Sequence, residues 1–171
     1  AIKNFRNDKG KLRSRPQNLD YSFKDGITYN IVSSKGFTGR FTDYPSMMCD
    51  VGPTIFELQN KAYTLGILNS VVASYFFSAL CPGYKYDTGA VGKLPVISQV
   101  DTIPTKLVEN NVKISKKDWD SRETSWDFEQ SPLLLSGEGL GMREQDSSLS
   151  EAFKRWEKDV TQDFFQLHQN E

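Results

Sequence analysis

The side chains best suited to binding chemistry in this sequence lie in one short segment between residues 33 and 40. The segment holds two serines, a lysine, a threonine and an arginine: Ser33, Ser34, Lys35, Thr38 and Arg40. Lys and Arg can donate hydrogen bonds to guanine O6 and N7, and Ser and Thr hydroxyls can bond base edges or phosphates. The segment therefore has the residue types of a surface that contacts nucleic acid.

Aromatic and cationic residues in two further places could extend this surface. Tyr44 lies just beyond the segment, and Tyr84, Lys85 and Tyr86 begin a turn-rich loop. A tyrosine can stack on an unpaired base or bond a phosphate. The same residues fit a second interpretation, in which the aromatic rings pack in the core and the polar groups occupy turns. The residue types alone do not decide between the two.

No motif for catalysis or cofactor binding stands out in the sequence. The one glycine cluster, GEGLG at residues 137–141, departs from the dinucleotide-binding pattern and fits a linker better. The sequence has no phosphate-binding P-loop and no nucleophile elbow. Cys49 and Cys81 fit core thiols better than a disulfide framework or a zinc site, and the lone His168 disfavours a histidine-based triad. We therefore predict no catalytic, cofactor-binding or metal-binding residue.

One acidic cluster leaves a minor alternative open. It consists of Asp118, Asp120, Glu123 and Asp127, which could hold a metal ion in a small nuclease. A solvated or helix-capping face is the more common use of such a cluster.

Charge is divided unevenly along the chain. Residues 1–50 carry nine Lys or Arg against five Asp or Glu, whereas residues 101–171 carry nine against fifteen, and the net charge of all 171 residues is −1. The split suggests that the basic end meets a polyanion and the acidic end meets protein or solvent. Ordinary surface variation explains the same numbers, because the excess is far below that of a dedicated DNA-binding domain.

A small sheet and one apolar helix are predicted to position the candidate residues. Residues 27–32 and 37–41 have the composition of strands, and residues 47–51 are a further strand candidate. A helix is predicted to begin near Asn60, with a buried stripe of apolar residues at spacings of three and four: Leu65, Leu68, Val72, Tyr75, Phe76 and Ala79. The longest apolar stretch is interrupted by polar residues and is shorter than the roughly 20 residues of a bilayer span. The first residues also lack the apolar stretch of a secretory signal, so we expect a cytoplasmic protein without a membrane partner.

The second half of the chain is predicted to be helical. Residues 106–111 are weakly helical, and a capping box at 115–118 predicts a short helix around Trp119. A final amphipathic helix is predicted from the capping box at 148–151, with its own apolar stripe: Leu149, Phe153, Trp156, Val160, Phe164 and Leu167. Because this stripe has no obvious partner in the chain, we expect the chain to be a piece of a longer protein.

Four runs of the sequence resemble the target recognition region of large adenine-specific DNA methyltransferases. They are ITYNIVSSKGFTGRF, CDVGPTIFEL, LGILNSVVASYFFSAL and YKYDTGAVGKLPVI. The later runs ISKKDWDSRETSWDFEQSPLL and EAFKRWEKDVTQDFFQLHQNE are similar to the segments that follow this region in PglX-type methyltransferases of BREX phage-defence systems. The resemblance covers roughly residues 25–171 and is most specific in the ISKKDWDS…ETSWDF run.

The resemblance implies a chain that reads DNA and does not itself methylate it. The family binds S-adenosylmethionine and methylates adenine N6 with an upstream catalytic domain, whose N-P-P-Y motif is absent from this sequence. The implied partners are double-stranded DNA, the remainder of the parent methyltransferase and other proteins of the defence system, and no cofactor is implied in this chain. By resemblance, the DNA-facing parts are the strand pair from Ser33 to Arg40 and the loop from Tyr84 to Lys93.

The predicted fold class is α+β: a small mixed sheet with a packed central helix, similar to a target recognition domain, followed by a helical C-terminal extension. The expected boundaries are a basic lead-in arm at 1–20, a DNA target recognition domain at 21–101, a short helical segment at 102–130, a flexible linker at 131–147 and a truncated amphipathic helix at 148–171. The main alternative function is a protein-interaction module of the same defence complex, which would bind another component through the stripe from Leu149 to Leu167.

Overall fold

The computed structural model describes residues 5–11, 13, 18–42, 46–97, 102–131 and 149–170. The chain divides into two compact units, residues 1–97 and residues 98–171. Within the described residues, unit 1 holds a three-stranded sheet and three helices, and unit 2 holds two helices. The predicted α+β class with a helical C-terminal part is therefore confirmed.

The sheet of unit 1 is antiparallel throughout. Its strands are β1 (Ile27–Tyr29), β2 (Gly39–Phe41) and β3 (Thr54–Ile55), in the order β2-β1-β3. Gly26 precedes β1 at a point where a Cβ atom would lie 2.3 Å from the Ile55 carbonyl oxygen, so only glycine permits this approach of β3.

All three strand predictions were too long or misplaced. The β-branched run at 27–32 forms a strand only over its first three residues, and the second strand begins at Gly39 rather than at Phe37. Residues 47–51 do not form a strand. Cys49 accepts a hydrogen bond from the Gly52 N–H at 3.1 Å, which closes a tight turn that leads into β3.

The long apolar helix predicted from Asn60 is two helices, α1 (Lys61–Asn69) and α2 (Val71–Leu80). Its predicted start is confirmed, since the Asn60 side chain accepts from the Tyr63 N–H at 3.0 Å and caps α1. Ser70 causes the break, because its hydroxyl accepts from the Ala73 N–H at 3.1 Å and caps a new helix. The two helices bend by 65° there.

The bend changes which side of the second helix is buried. The predicted stripe is correct in α1, where Leu65 and Leu68 are buried, but Ala73 and Phe77 fill the core from α2. The four α2 positions predicted to be buried are exposed instead: Val72, Tyr75, Phe76 and Ala79. Within the described part of the chain, no single helix has the length and apolar composition to cross a bilayer, although the bent pair α1–α2 meets both criteria together.

The two ends of unit 1 also carry local structure. In the predicted lead-in arm, Gly10 donates to the Asn7 carbonyl at 2.8 Å, forming a turn in which Gly10 has a φ of 71°. A single 3-10 turn follows at Leu19–Tyr21. A short helix, α3 (Thr88–Val91), lies inside the loop predicted after residue 84.

The described residues of unit 2 form the helices α4 (Thr102–Asp120) and α5 (Leu149–Gln169). The predicted start of α5 is confirmed, but α4 runs unbroken through the capping box predicted to open a new helix at residue 115. The two helices pack together with Ile114 and Ala152 buried. Lys117 Nζ lies 2.8 Å from Asp163 Oδ2, and Asn170 donates to Asn111 Oδ1 at 2.7 Å. The GEGLG run and nearly all of the predicted linker lie outside the described residues.

Candidate nucleic-acid interface

The backbone joins the two segments that the sequence analysis singled out. Beyond β1, the Ser33 N–H donates to the Tyr84 carbonyl at 2.9 Å, and the Tyr86 N–H donates to the Ile31 carbonyl at 2.7 Å. Val32 and Lys85 form an antiparallel bridge between these two bonds. The turn that follows residue 33 and the loop that begins at residue 84 are therefore neighbours, although 50 residues separate them in sequence.

A buried aromatic cluster supports both segments from below. Phe37 leads the chain from the turn into β2, and its ring stacks on Phe77 of α2 at 4.6 Å between centroids. Tyr86 packs its ring edge-on against the same two residues, at 5.5 and 5.8 Å, and Tyr29 lies 5.0 Å from Phe37. Because both segments are fixed on Phe77, their relative position is set by the core.

Tyr86 therefore differs from the other candidate residues. Only 7% of its surface is exposed, so its ring belongs to the core, the second interpretation that the residue types allowed. Its neighbour Tyr84 is 66% exposed. Residues two apart in a regular strand lie on the same face, so the different exposure of these two tyrosines is consistent with an isolated bridge to Val32 and not with a regular strand. Tyr44 lies outside the described residues.

The remaining candidates of these two segments form what we call the cationic surface. Its members are exposed, apart from the partly exposed Ser33: Ser33, Ser34, Lys35, Thr38, Arg40, Tyr84 and Lys85. The turn that carries the first of them passes through Gly36, whose φ of 95° favours glycine. Lys93 is also exposed and follows α3 in the chain.

The cations of this surface differ in their partners. Lys85 Nζ lies 2.9 Å from Asp87 Oδ1, an exposed ion pair that partly neutralises it. The Arg40 guanidinium instead donates to the neutral amide oxygen of Asn30 at 3.0 Å. Among the described residues, no carboxylate forms an ion pair with Arg40 or Lys35. Positive charge is therefore available to a ligand at these two side chains.

Asn69, the last residue of α1, fixes the strand that carries Arg40. Its amide oxygen accepts from the Gly39 N–H at 2.8 Å, and its amide nitrogen donates to the Gly39 carbonyl at 3.0 Å. Gly39 itself is tightly packed, since a Cβ atom there would lie 3.3 Å from Ile27 Cγ2 and 3.4 Å from Leu65 Cδ1. At Gly39, the side chain at the end of α1 thus makes the two backbone hydrogen bonds that a neighbouring strand would make.

Sequence reasoning missed both asparagines that organise the site. Asn69 stood inside the apolar helical pattern, which it interrupts, and Asn30 stood inside a β-branched run. In each case, an asparagine that interrupts an apolar pattern could have indicated a side chain with a hydrogen-bond partner. Their partners could not be deduced, because each partner comes from a different element.

Three of the four carboxylates in the acidic cluster of unit 2, those of Asp118, Asp120 and Asp127, form ion pairs. Lys116 Nζ lies 3.0 Å from Asp120 Oδ2 and 2.6 Å from Asp127 Oδ2, while Arg122 lies 2.6 Å from Asp118 Oδ2. The hydrogen bonds that Lys116 donates to Asp127 and Asp120 raise the pKa of Lys116 well above its usual value. Within the described residues, no three His, Cys, Asp or Glu side chains are grouped so that they could hold a metal ion. These carboxylates therefore organise the end of α4.

The two cysteines and the histidine were also considered for chemistry in the sequence analysis. The prediction of core thiols is right for Cys81, whose burial raises the pKa of its thiol, and wrong for Cys49, which is exposed in the turn before β3. The His168 ring lies parallel to that of Phe164 on α5, with 6.4 Å between centroids.

Comparison with known proteins finds similarity to adenine-specific methyltransferases. No protein-family model matches it. It is 29% identical over 164 residues, 95% of its length, to the adenine-specific methyltransferase PglX of Lacticaseibacillus casei (strain Zhang). It is 33% identical over 142 residues, 78% of its length, to the adenine-specific methyltransferase BrxX of Escherichia coli O9:H4 (strain HS). The chain is a relative of adenine-specific methyltransferases.

The match covers a small part of these relatives. The chain spans 13% of the length of the PglX protein and 12% of that of the BrxX protein. The matches extend over most of the chain, so they include residues of both units.

Proposed function

We propose that this chain is the DNA target recognition part of an adenine-specific methyltransferase of a BREX-type phage-defence system. The observation that carries the proposal is the backbone pairing of residues 31–33 with residues 84–86, which joins two separate polar segments into one exposed cationic surface. The similarity to two adenine-specific methyltransferases supports it independently. DNA is the ligand whose charge and hydrogen-bonding groups suit such a surface.

Each class of side chain on the cationic surface has a distinct task in this proposal. Lys35 and Lys85, together with Lys93 after α3, bind phosphates, which supply affinity without sequence information. Ser33, Ser34 and Thr38 donate and accept at phosphates or base edges, and Arg40 has the donors to bind a base edge. Tyr84 offers an exposed ring for stacking or for a phosphate bond. The rigid aromatic core below holds these groups in one arrangement.

In the whole methyltransferase, this part would position the duplex so that one adenine can leave the stack and enter the catalytic pocket. S-adenosylmethionine would be bound by the rest of the parent enzyme. A cleft of about 350 Å³ in unit 1 is large enough to consider for the cofactor, and it lies beside Tyr29, Thr54, Leu68 and Val91. None of its lining residues is charged, so it does not fit the charged groups of S-adenosylmethionine.

Binding of duplex DNA by the full chain across a salt series tests the proposal. The triple variant Lys35→Ala, Arg40→Ala, Lys85→Ala should bind more weakly, and the slope of log K against log salt should fall by about 0.9 for each phosphate that the variant no longer binds. The matched control removes three exposed lysines of unit 2 instead: Lys113→Ala, Lys154→Ala and Lys158→Ala. The control should keep the wild-type slope. Equal effects of the two triple variants would refute the site, and absence of any duplex binding by the wild-type chain would refute the function.

One observation favours the second candidate, a protein-interaction module of the same defence complex. Packing of α5 on α4 buries Ala152 but leaves three aromatic side chains of α5 substantially exposed: Phe153, Phe164 and Phe165. This candidate predicts that Phe164→Ser reduces association with a further protein of the defence complex and leaves duplex binding unchanged. Unchanged association with purified components of that complex would count against it.

A further inference from the structure

The two faces of the sheet in unit 1 differ in character. Ile27, Tyr29 and Gly39 are buried against the helices, as alternate positions of paired strands require. The intervening positions are polar, and Asn30 and Arg40 are exposed on them. Because Thr28 lies opposite Arg40 in the strand register, Arg40 stands on a polar sheet face. This face continues into the turn that carries the rest of the cationic surface.

Arg40 is held on this face by neutral groups. Its guanidinium donates to Asn30 Oδ1 at 3.0 Å, and the backbone of the preceding residue, Gly39, bonds twice to the Asn69 amide. An amide oxygen orients a guanidinium without cancelling its charge, and a guanidinium carries five N–H donors, of which this bond uses one. Lys85 contrasts with this arrangement, since it meets a carboxylate.

We propose that Arg40 reads a guanine in the target sequence and that Asn30 is its positioning residue; this inference rests on the proposed function. Guanine presents two acceptors, O6 and N7, at its major-groove edge, and a guanidinium fork can bond both. Adenine replaces O6 by an amino donor, which repels the fork. Orientation by Asn30 matters for this bidentate contact, whereas a phosphate can be bound by any nearby cation. The target site should therefore contain a guanine whose recognition depends on both residues.

The test compares base preferences of four proteins on a duplex library with a randomised core. The proteins are the full wild-type chain and its variants Arg40→Lys, Asn30→Ala and Asn30→Asp. Arg40→Lys keeps the positive charge but removes the guanidinium fork. This variant should therefore retain overall binding and salt dependence, and its preference for guanine at one G·C pair should fall by about 5- to 150-fold. Asn30→Ala should weaken preference at that same pair only. Asn30→Asp keeps an acceptor for Arg40, so it should preserve the preference while lowering overall affinity.

A second measurement identifies the bonded atom of the base. The guanine at the affected position is replaced by 7-deazaguanine, which lacks the N7 acceptor. Wild-type binding should weaken on this substitution, and Arg40→Lys binding should weaken less, because the lysine ammonium lacks the rigid fork that bonds O6 and N7 together. Thermal unfolding of each variant controls for loss of fold.

The outcomes separate this inference from the proposed function. If wild type selects a sequence and Arg40→Lys selects it equally well at every position, the guanine assignment is wrong and the proposed function stands. If Asn30→Ala keeps the wild-type preference, Asn30 has no positioning role. If the wild-type chain binds no duplex, both the proposed function and this inference fail.

Discussion

Replacing Asn69 by alanine should destabilise unit 1 through a single pair of hydrogen bonds. The Asn69 amide bonds the Gly39 N–H at 2.8 Å and the Gly39 carbonyl at 3.0 Å. A neutral hydrogen bond contributes about 0.5–1.5 kcal/mol net, so the two together contribute about 1–3 kcal/mol to the free energy of unfolding. For a unit of this size, that loss lowers the midpoint of thermal unfolding by about 5–20 °C.

The distribution of aromatic residues provides the assay. All seven tyrosines lie in unit 1 and all three tryptophans lie in unit 2. Tyrosine near-UV signals therefore follow the unfolding of unit 1, and tryptophan fluorescence follows unit 2. Asn69→Ala should lower the tyrosine transition and leave the tryptophan transition where it is.

Two further variants make this result specific. Ser74→Ala truncates an exposed polar side chain on α2 and should change stability by less than about 0.5 kcal/mol. Asn69→Asp keeps the acceptor for the Gly39 N–H but removes the donor to its carbonyl, so it should recover part of the loss. If Asn69→Ala proves as stable as Ser74→Ala, the two bonds do not hold β2 and the account of how Arg40 is positioned is wrong.

The remaining predictions test single contacts. Asp87→Asn should raise the affinity of the chain for duplex DNA by about 2- to 5-fold at low salt, because it frees Lys85 from its ion pair; a fluorescence anisotropy titration showing equal affinity would contradict this. Burial raises the pKa of Tyr29 to about 12, so an unfolded chain, whose tyrosines ionise near pH 10, loses this proton first. The free energy of unfolding of the wild type should therefore fall from about pH 10 to about pH 12, and chemical denaturation of Tyr29→Phe over the same range should show a smaller loss. Cys49 should be alkylated by iodoacetamide in the folded chain while Cys81 is protected until unfolding, and equal labelling by mass spectrometry would show that the α2 end is open.

Features encoded locally in the sequence were predictable. The α5 helix follows from a long amphipathic pattern, and the start of α1 follows from Asn60 as a capping residue before an apolar run. The break at Ser70 was missed because the apolar pattern continues across it. The break could nevertheless have been predicted from the local sequence, because a serine at this position can cap a new helix.

Features that depend on pairing between distant segments were not predictable. Tyr84 and Tyr86 have the same residue type, and only the packing of Tyr86 against Phe37 and Phe77 distinguishes the ring that enters the core. The contact of Asn30 with Arg40 likewise requires the register of β1 against β2. Residue types could suggest a DNA-contacting surface, but they could not place its members on one side of the molecule.

Hydrogen exchange of the full chain with and without duplex DNA at low salt tests the central claim most directly. The account predicts slower exchange of backbone amides in residues 31–41 and 84–93, and unchanged exchange in residues 149–170. Protection confined to residues 102–131 and 149–170, or no protection anywhere, would contradict the assignment of DNA recognition to this surface.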